Sequence, residues 1–211
     1  MIIRFIENNK FLKKLGKRNM HALTIPFYQM TWSKEAAYTF FLIQKTGISS
    51  MLRVLRDETE IDFDEKTAIY FKSQHQNHFK FCFIRNPWDR LVSCYSNKVL
   101  RKKLYPECWG KDFSYFIHFL TRQHLPTADG HIRLQTSSFP VNDIDFIGRF
   151  ENFSDDFDFI INDKLKLNRN PVKKNQSSHA HYTQYYSNKT RRMVEKMYKE
   201  DIKLGNYRFG V

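Results

Sequence analysis

KFCFIRNPWDRLVSCYSNK, Lys80 to Lys98, is the stretch whose reading decides the fold. Lys80 to Ile84 is a short, mostly apolar run, the pattern of a strand buried on both faces, and it ends abruptly at Arg85. Asn86 is a good helix cap, and Pro87 suits a first helical turn, where its missing N–H costs nothing. Leu91, Tyr95 and Val99 then recur at i, i+4 and i+8. The stretch reads as strand, tight loop, helix, with Arg85 carried to the exposed strand end.

The same sequence of elements occurs upstream. AYTFFLI, Ala37 to Ile43, is an aromatic and β-branched strand that runs into QKTGISS and then SMLRVLRDE, where Ser49 or Ser50 is placed to cap a helix. Residues 64–76 and 112–122 have helical spacing. IDFIGRF, Ile144 to Phe150, reads as a third strand, and ENFSDDFDFIINDKL as a helix capped by Ser154 with Asp155 and Asp156 in its first turn. A polar, basic loop, NRNPVKKNQSSHAHY, precedes a last helix near 188–203, and the closing DIKLGNYRF offers aromatic residues for docking a terminal segment. Strands alternating with helices predict an α/β fold, a central parallel sheet with helices on both faces. The length of 211 residues suits one domain over 1–211, with its core at about 38–210 and residues 1–36 as an N-terminal extension.

In such sheets ligands bind where strand ends meet helix starts. QKTGISS places Lys45, Gly47 and three hydroxyls just before a helix N-terminus, whose open N–H groups and dipole attract anions. The bland alternative is a capped turn with a solvent-facing lysine. The ATP-binding loop G-x-x-x-x-G-K-[ST] does not fit, because Lys45 precedes the single glycine. In the second loop Arg85 has the fork geometry for a phosphate, and Arg90, Ser93 and Asn97 share one helix face. Ser93 reads either as a second ligand or as a small packing residue, and Arg90 as a buried ion-pair partner. Two anion sites at neighbouring strand ends suit a ligand with two separated anionic groups.

QKTGISSMLRVL and FIRNPWDRLVSCYSNK together resemble the two donor-binding loops of the carbohydrate sulfotransferases, the group of the chondroitin, dermatan and HNK-1 enzymes and their bacterial relatives. HIRLQ, DFIGRFENFSDDF and YSNKTRRMVEKMYKEDIKLGNYRF follow in the order that the resemblance requires, so it covers roughly residues 38–210. It implies a P-loop-kinase-like sulfotransferase fold and a site for 3′-phosphoadenosine 5′-phosphosulfate (PAPS), with adenosine 3′,5′-bisphosphate (PAP) as product and no metal. Lys45 would contact the phosphosulfate, and Thr46, Gly47, Ile48, Ser49 and Ser50 would supply donors. Arg85 and Ser93 would hold the 3′-phosphate. Gln44 stands where the family usually has proline, and Ile48 where many relatives have glycine.

Sulfuryl transfer also needs a base for the acceptor hydroxyl. Glu65, in DEKTA, occupies the place of a histidine found in many bacterial relatives and is the first candidate; His131 is second, and His75 with His78 third. The H-x-x-H and H-x-H pairs (His75/His78, His179/His181) lack a third ligand cluster for a metal. A formal charge of +13 attracts anions and suits an acidic carbohydrate acceptor; Arg169, Lys173 and Lys174 read either as charge offered to that acceptor or to the donor, or as a solvated loop. The same charge suits a rival reading, a noncatalytic module for anionic glycan or nucleic acid, but that reading gives Arg85 and Ser93 no task. Three unpatterned cysteines predict a reducing compartment, hence the cytoplasm, the alternative being a Golgi-lumenal catalytic domain without its anchor. No apolar run approaches the ~20 residues of a membrane span.

Overall fold

A computed structural model describes residues 27–56, 67–70, 72–170 and 180–211. Five strands, β1 (Phe27–Ser33), β2 (Tyr38–Phe41), β3 (Thr67–Ile69), β4 (Phe79–Ile84) and β5 (Phe146–Arg149), form one sheet of order β3-β1-β2-β4-β5. The β2–β4 and β4–β5 pairs are parallel, in register Phe41↔Cys82 and Ile84↔Arg149. The β1–β2 and β1–β3 pairs are antiparallel.

The expected all-parallel sheet is therefore mixed, parallel only in its β2-β4-β5 half. β1 lies in the stretch assigned to an N-terminal extension, so the sheet begins earlier than the aromatic run at Ala37 suggested. The helix expected over 64–76 is not formed: Thr67–Ile69 is an edge strand and Lys72–Gln74 a short 3₁₀ turn. Pairing to Phe27, Tyr28 and Gln29 of β1 overrides the weak local helix pattern.

Alternation along the parallel strands feeds two cores. Phe41, Cys82 and Ile84 point to one face, where α2 (Pro87–Cys94), α3 (Phe113–Leu120), α5 (Asn188–Met197) and the C-terminal aromatics cover them. Tyr38, Phe40, Phe81 and Phe83 point to the other, beneath α1 (Ile48–Arg56) and α4 (Phe153–Asp158). The Phe40 and Phe81 rings stack at 4.9 Å. Each fully buried phenylalanine of this kind contributes about 1.5–3 kcal/mol. Gly148 on β5 is required by this packing, since a Cβ there would stand 2.7 Å from the Phe83 ring.

Asn86 caps α2 by accepting the Trp88 N–H at 3.1 Å, with Pro87 in the first turn as expected. After Cys94 the helix widens into a π-helical stretch, Tyr95–Arg101. α1 begins at Ile48, which places Ser49 and Ser50 inside its first turn and corrects their reading as caps. α4 is likewise preceded by Asn152, without a side-chain cap bond, and Ser154 is internal. The last helix is split into α5 and α6 (Lys199–Leu204). Beyond α6, Phe209 docks edge-on against Trp88, Tyr182 and Tyr186 at 5.5–5.6 Å. Cys82, Cys94 and Cys108 are buried free thiols. No described helix is long and apolar enough to cross a membrane.

His75 and His78 belong to the fold. Their Nδ1 atoms lie 3.0 and 2.9 Å from the Thr39 hydroxyl and 3.3 Å from each other, with His75 stacked on Tyr70. Thr39 pairs with Lys80, five residues before Arg85, so this cluster is about 16 Å along the strand from the end that carries Arg85. They are thereby removed as candidate bases. Burial first, then the His78 and Lys80 charges, hold the His75 imidazole down at about 4. The unfolded chain, with histidine near 6.5, binds the extra proton first, so this stability is full above pH 6.5 and declines as pH falls toward 4. We expect His75 to account for a loss of about 2 kcal/mol between pH 7 and pH 5. Urea midpoints at the two pH values should show that loss in the wild type and a flatter response in His75→Gln; equal slopes would contradict it.

Candidate functional site

The C-terminal ends of β2, β4 and β5 open on the same edge of the sheet, and three loops meet there. The first runs from Gln44 to Ser50. Lys45 takes a left-handed backbone, φ 75°, as does Gly47 at φ 89°. Such a conformation is uncommon and strained for a lysine, and strain of this kind gathers at ligand sites. Gly47 cannot be replaced, because a Cβ would also stand 2.7 Å from the Phe153 ring. Thr46 is buried and donates its hydroxyl to Ile43 O at 2.7 Å. Its side chain closes the loop, so only its N–H remains for a ligand. Ile48 turns its side chain toward the second core, while Ser49 is exposed and Ser50 buried. In the first turn of α1 the Ser50 N–H bonds Gly47 O at 3.0 Å, while the Ile48 and Ser49 N–H groups have no intrahelical acceptor.

Arg85 leaves β4 as expected, 6% exposed. Its backbone is pinned by Gln135, whose side chain accepts the Arg85 N–H and donates to the Arg85 carbonyl, each at 2.9 Å. Gln135 is fixed in turn by the buried Asp201 of α6, which accepts the Gln135 and Thr136 N–H groups at 2.8 and 2.9 Å. The guanidinium binds Asp89 through Nε at 2.9 Å and Nη2 at 2.8 Å, and Nη1 donates to the Lys45 carbonyl at 3.2 Å. Of five N–H donors, one on each Nη is left for a ligand. Phe150, just after β5, lies under this guanidinium at 4.2 Å and also borders Gly47.

Ser93 is one helical turn after Asp89, on the same stripe of α2. It is buried, and its hydroxyl makes no hydrogen bond among the described residues. Arg90 corrects its reading as an ion-pair partner. Fully buried, it donates Nε to Gln44 O at 3.0 Å, Nη1 to Arg133 O at 2.9 Å and Nη2 to Gly130 O at 2.8 Å. It thus clamps the 129–133 loop onto the Lys45 loop, and a Cβ on Gly130 would come within 3.1 Å of Gln44 Cγ. His131 lies in that clamped loop, with Nδ1 2.7 Å from Asp129 Oδ1.

Electrostatics favour an anion here. Burial above all lowers the Lys45 ammonium to about 8; the neighbouring Cys94 opposes this, and the Arg85, Lys98 and Arg90 charges, each a smaller effect, add to the lowering. Lys45 has no carboxylate partner among the described residues. Cations gathered here with one carboxylate, Asp89, among them form a preorganised anion receptor.

The structure therefore brings Lys45, Thr46, Gly47, Ile48, Ser49, Ser50, Arg85, Ser93 and the His131 loop to one edge. Glu65, Lys173 and Lys174 lie outside the described residues. Arg169 is described, and its N–H bonds Asn162 Oδ1 at 2.7 Å in the loop after the second π-helical stretch, Phe159–Lys164. Sequence reasoning missed Asp129, Gln135, Phe150 and Asp201. HIRLQ and GRFENF were legible as motifs, but nothing in them says which residue pins a strand end or supports a guanidinium.

A sequence model described as the sulfotransferase family matches residues 28–208. No curated protein and no solved structure matches the chain.

Removing Arg90 leaves three carbonyls without their donor and releases two loops at once. Arg90→Ala should cost about 3–5 kcal/mol, the range for breaking a buried charged network. Urea unfolding monitored by tryptophan fluorescence checks this, and a loss below about 1 kcal/mol would contradict the clamp.

Proposed function

The chain belongs to the sulfotransferase family, and we propose that it moves the sulfuryl group of PAPS onto a hydroxyl of a carbohydrate acceptor. The observation that carries this reading is the Arg85 Nη1 bond to the Lys45 carbonyl, which joins the two anion-binding loops into one crevice at 3.2 Å. A ligand with phosphates at both ends of a nucleoside suits two such loops. The donors still open fit this ligand: the Lys45 ammonium, the Ile48 and Ser49 N–H groups of α1, the two remaining Arg85 N–H groups and the Ser93 hydroxyl. In this reading the loop from Lys45 to Ser50 is a P-loop-like cradle that needs no metal, because lysine and backbone N–H groups supply the positive charge.

The donor brings an activated sulfuryl group with a phosphate as its leaving group. Lys45 stabilises the charge that develops on the bridging oxygen, and the backbone N–H groups of Thr46 to Ser49 hold the adjacent phosphate with the Ser49 and Ser50 hydroxyls. Arg85 and Ser93 hold the 3′-phosphate, a group that ATP lacks. Asp89 keeps the Arg85 fork aimed and takes two of its hydrogens, so the 3′-phosphate is bound by single contacts from each Nη. His131, in the loop clamped against Gln44, serves as the base for the acceptor hydroxyl, with Glu65 as the alternative carboxylate. The basic surface suits an acceptor that itself carries negative charge.

Isothermal titration should show PAP bound and AMP bound at least ten-fold more weakly, the difference being the 3′-phosphate. Absence of PAP binding by folded protein would refute the function, and equal affinity would refute the Arg85–Ser93 assignment. Lys45→Ala should lower transfer of labelled sulfate to a carbohydrate panel by at least a hundred-fold, with the unfolding midpoint unchanged; retained turnover would refute its role.

The Lys45 charge gives a pH signature. Half of it is absent at about pH 8 in the free protein, and a bound phosphate favours the protonated form. PAP affinity should therefore fall as pH rises from 7 to 9, with proton uptake on binding near pH 8. Titrations in buffers of different ionisation enthalpy measure the uptake, and none would contradict the assignment.

A further inference from the structure

The His131 ring is held from one side by a single carboxylate oxygen. Asp129 Oδ1 accepts from the His131 backbone N–H at 3.1 Å, from the Tyr105 hydroxyl at 2.6 Å and from His131 Nδ1 at 2.7 Å. Tyr105 is itself fixed between the Phe116 and Phe119 rings of α3, at 6.1 and 5.8 Å. The turn is closed by the Ile132 and Arg133 N–H groups on the Asp129 carbonyl, at 3.0 and 2.9 Å. Tyr198 of the interhelix junction then donates to Ile132 O at 2.6 Å. The neighbours of Asp129 are thus anchored to a core element or to Arg90, and turning the ring over would break its Nδ1 bond to Asp129.

Partial burial alone would raise the Asp129 carboxyl, but the hydrogen bonds from His131 and Tyr105 outweigh it and hold the group well below the usual carboxylate range. It is ionised at neutral pH, and an ionised carboxylate has no proton to donate. The proton in the Nδ1–Oδ1 bond must therefore reside on Nδ1, which leaves the lone pair of the neutral ring on Nε2.

We propose that Asp129 is a positioning residue for transfer, fixing His131 as its Nδ1–H tautomer so that Nε2 takes the proton of the acceptor hydroxyl. The proposal rests on the sulfotransferase reading. In the step, the acceptor oxygen bonds to sulfur as its O–H proton passes to Nε2. The bond from sulfur to the bridging phosphate oxygen breaks, and its electron pair leaves with the phosphate beside Lys45. The resulting imidazolium keeps its Nδ1–H on Asp129, whose charge stabilises it. Tyr105, as the other donor to the same oxygen, keeps that oxygen from rotating toward solvent.

The test is ¹⁵N-resolved NMR of the histidine rings in the full chain, with His131 assigned by His131→Gln. Wild-type protein above pH 7 should show the Nδ1–H tautomer. Asp129→Ala should shift His131 toward the Nε2–H tautomer that free imidazoles prefer, and lower transfer to the carbohydrate panel by at least ten-fold with PAP affinity within two-fold. An Nε2–H signature in the wild type overturns the proposal, and this arm holds even if the Ala variant does not fold. Unchanged transfer by a folded Ala variant whose tautomer has shifted overturns it as well. Failure of the wild type to bind PAP would refute the sulfotransferase reading and leave the tautomer result standing by itself.

Discussion

One buried guanidinium organises the functional edge of this molecule. Arg90 has no solvent, and its three bonds go to main-chain carbonyls from two loops, Gln44 on one side and Gly130 with Arg133 on the other. A buried cation is costly unless its donors are satisfied, so the loops cannot separate without exposing that cost. Asp201, the buried carboxylate of α6, lies within the field of Arg90 and fixes Gln135, which pins the β4 end. Burial pushes the Asp201 carboxyl up, and the Gln135 and Thr136 N–H groups and Arg90 oppose the shift. The last helix is thereby coupled to the strand end that presents Arg85, about half the chain away in sequence.

Around that clamp the site divides its positive charge between two tasks. Arg90 is consumed by carbonyls and is structural. Arg85 is shared, half held by Asp89 and the Lys45 carbonyl and half open. Lys45 has no carboxylate partner among the described residues, and burial above all lowers its ammonium. The neighbouring Phe150 serves both loops, supporting the Arg85 guanidinium from below and bordering Gly47, whose open side the Phe153 ring fills. Such a division explains how a site can be rigid before a ligand arrives and still have unsatisfied donors to offer.

Much of this was legible in the chain, and the reasons differ by element. The parallel strands were plain because Phe40, Phe41, Phe81, Cys82 and Phe83 are buried on both faces, which local composition encodes. The antiparallel edge was not, since β3 is three residues long and its identity depends on pairing with β1. Arg85, Lys45 and Gly47 could be placed at the strand ends because motif spacing reflects backbone geometry directly. Arg90 was misjudged because a polar residue type does not reveal whether its partner is a carboxylate or a carbonyl. Asp129 was hidden because its role depends on Tyr105, distant in sequence, and on a turn that only the fold closes. His75 and His78 were the reverse case, suggestive spacing at the wrong end of the sheet.

A crystal structure of the protein with PAP bound tests the central claim most directly, that two loops locked together by Arg90 and Arg85 form one bisphosphate site. The account predicts the 5′-phosphate on Lys45 and the Thr46–Ser50 loop, the 3′-phosphate on Arg85 and Ser93, and the three Arg90–carbonyl bonds unchanged. A bisphosphate bound elsewhere, or a 3′-phosphate that leaves Ser93 and both Nη atoms of Arg85 untouched, would contradict it.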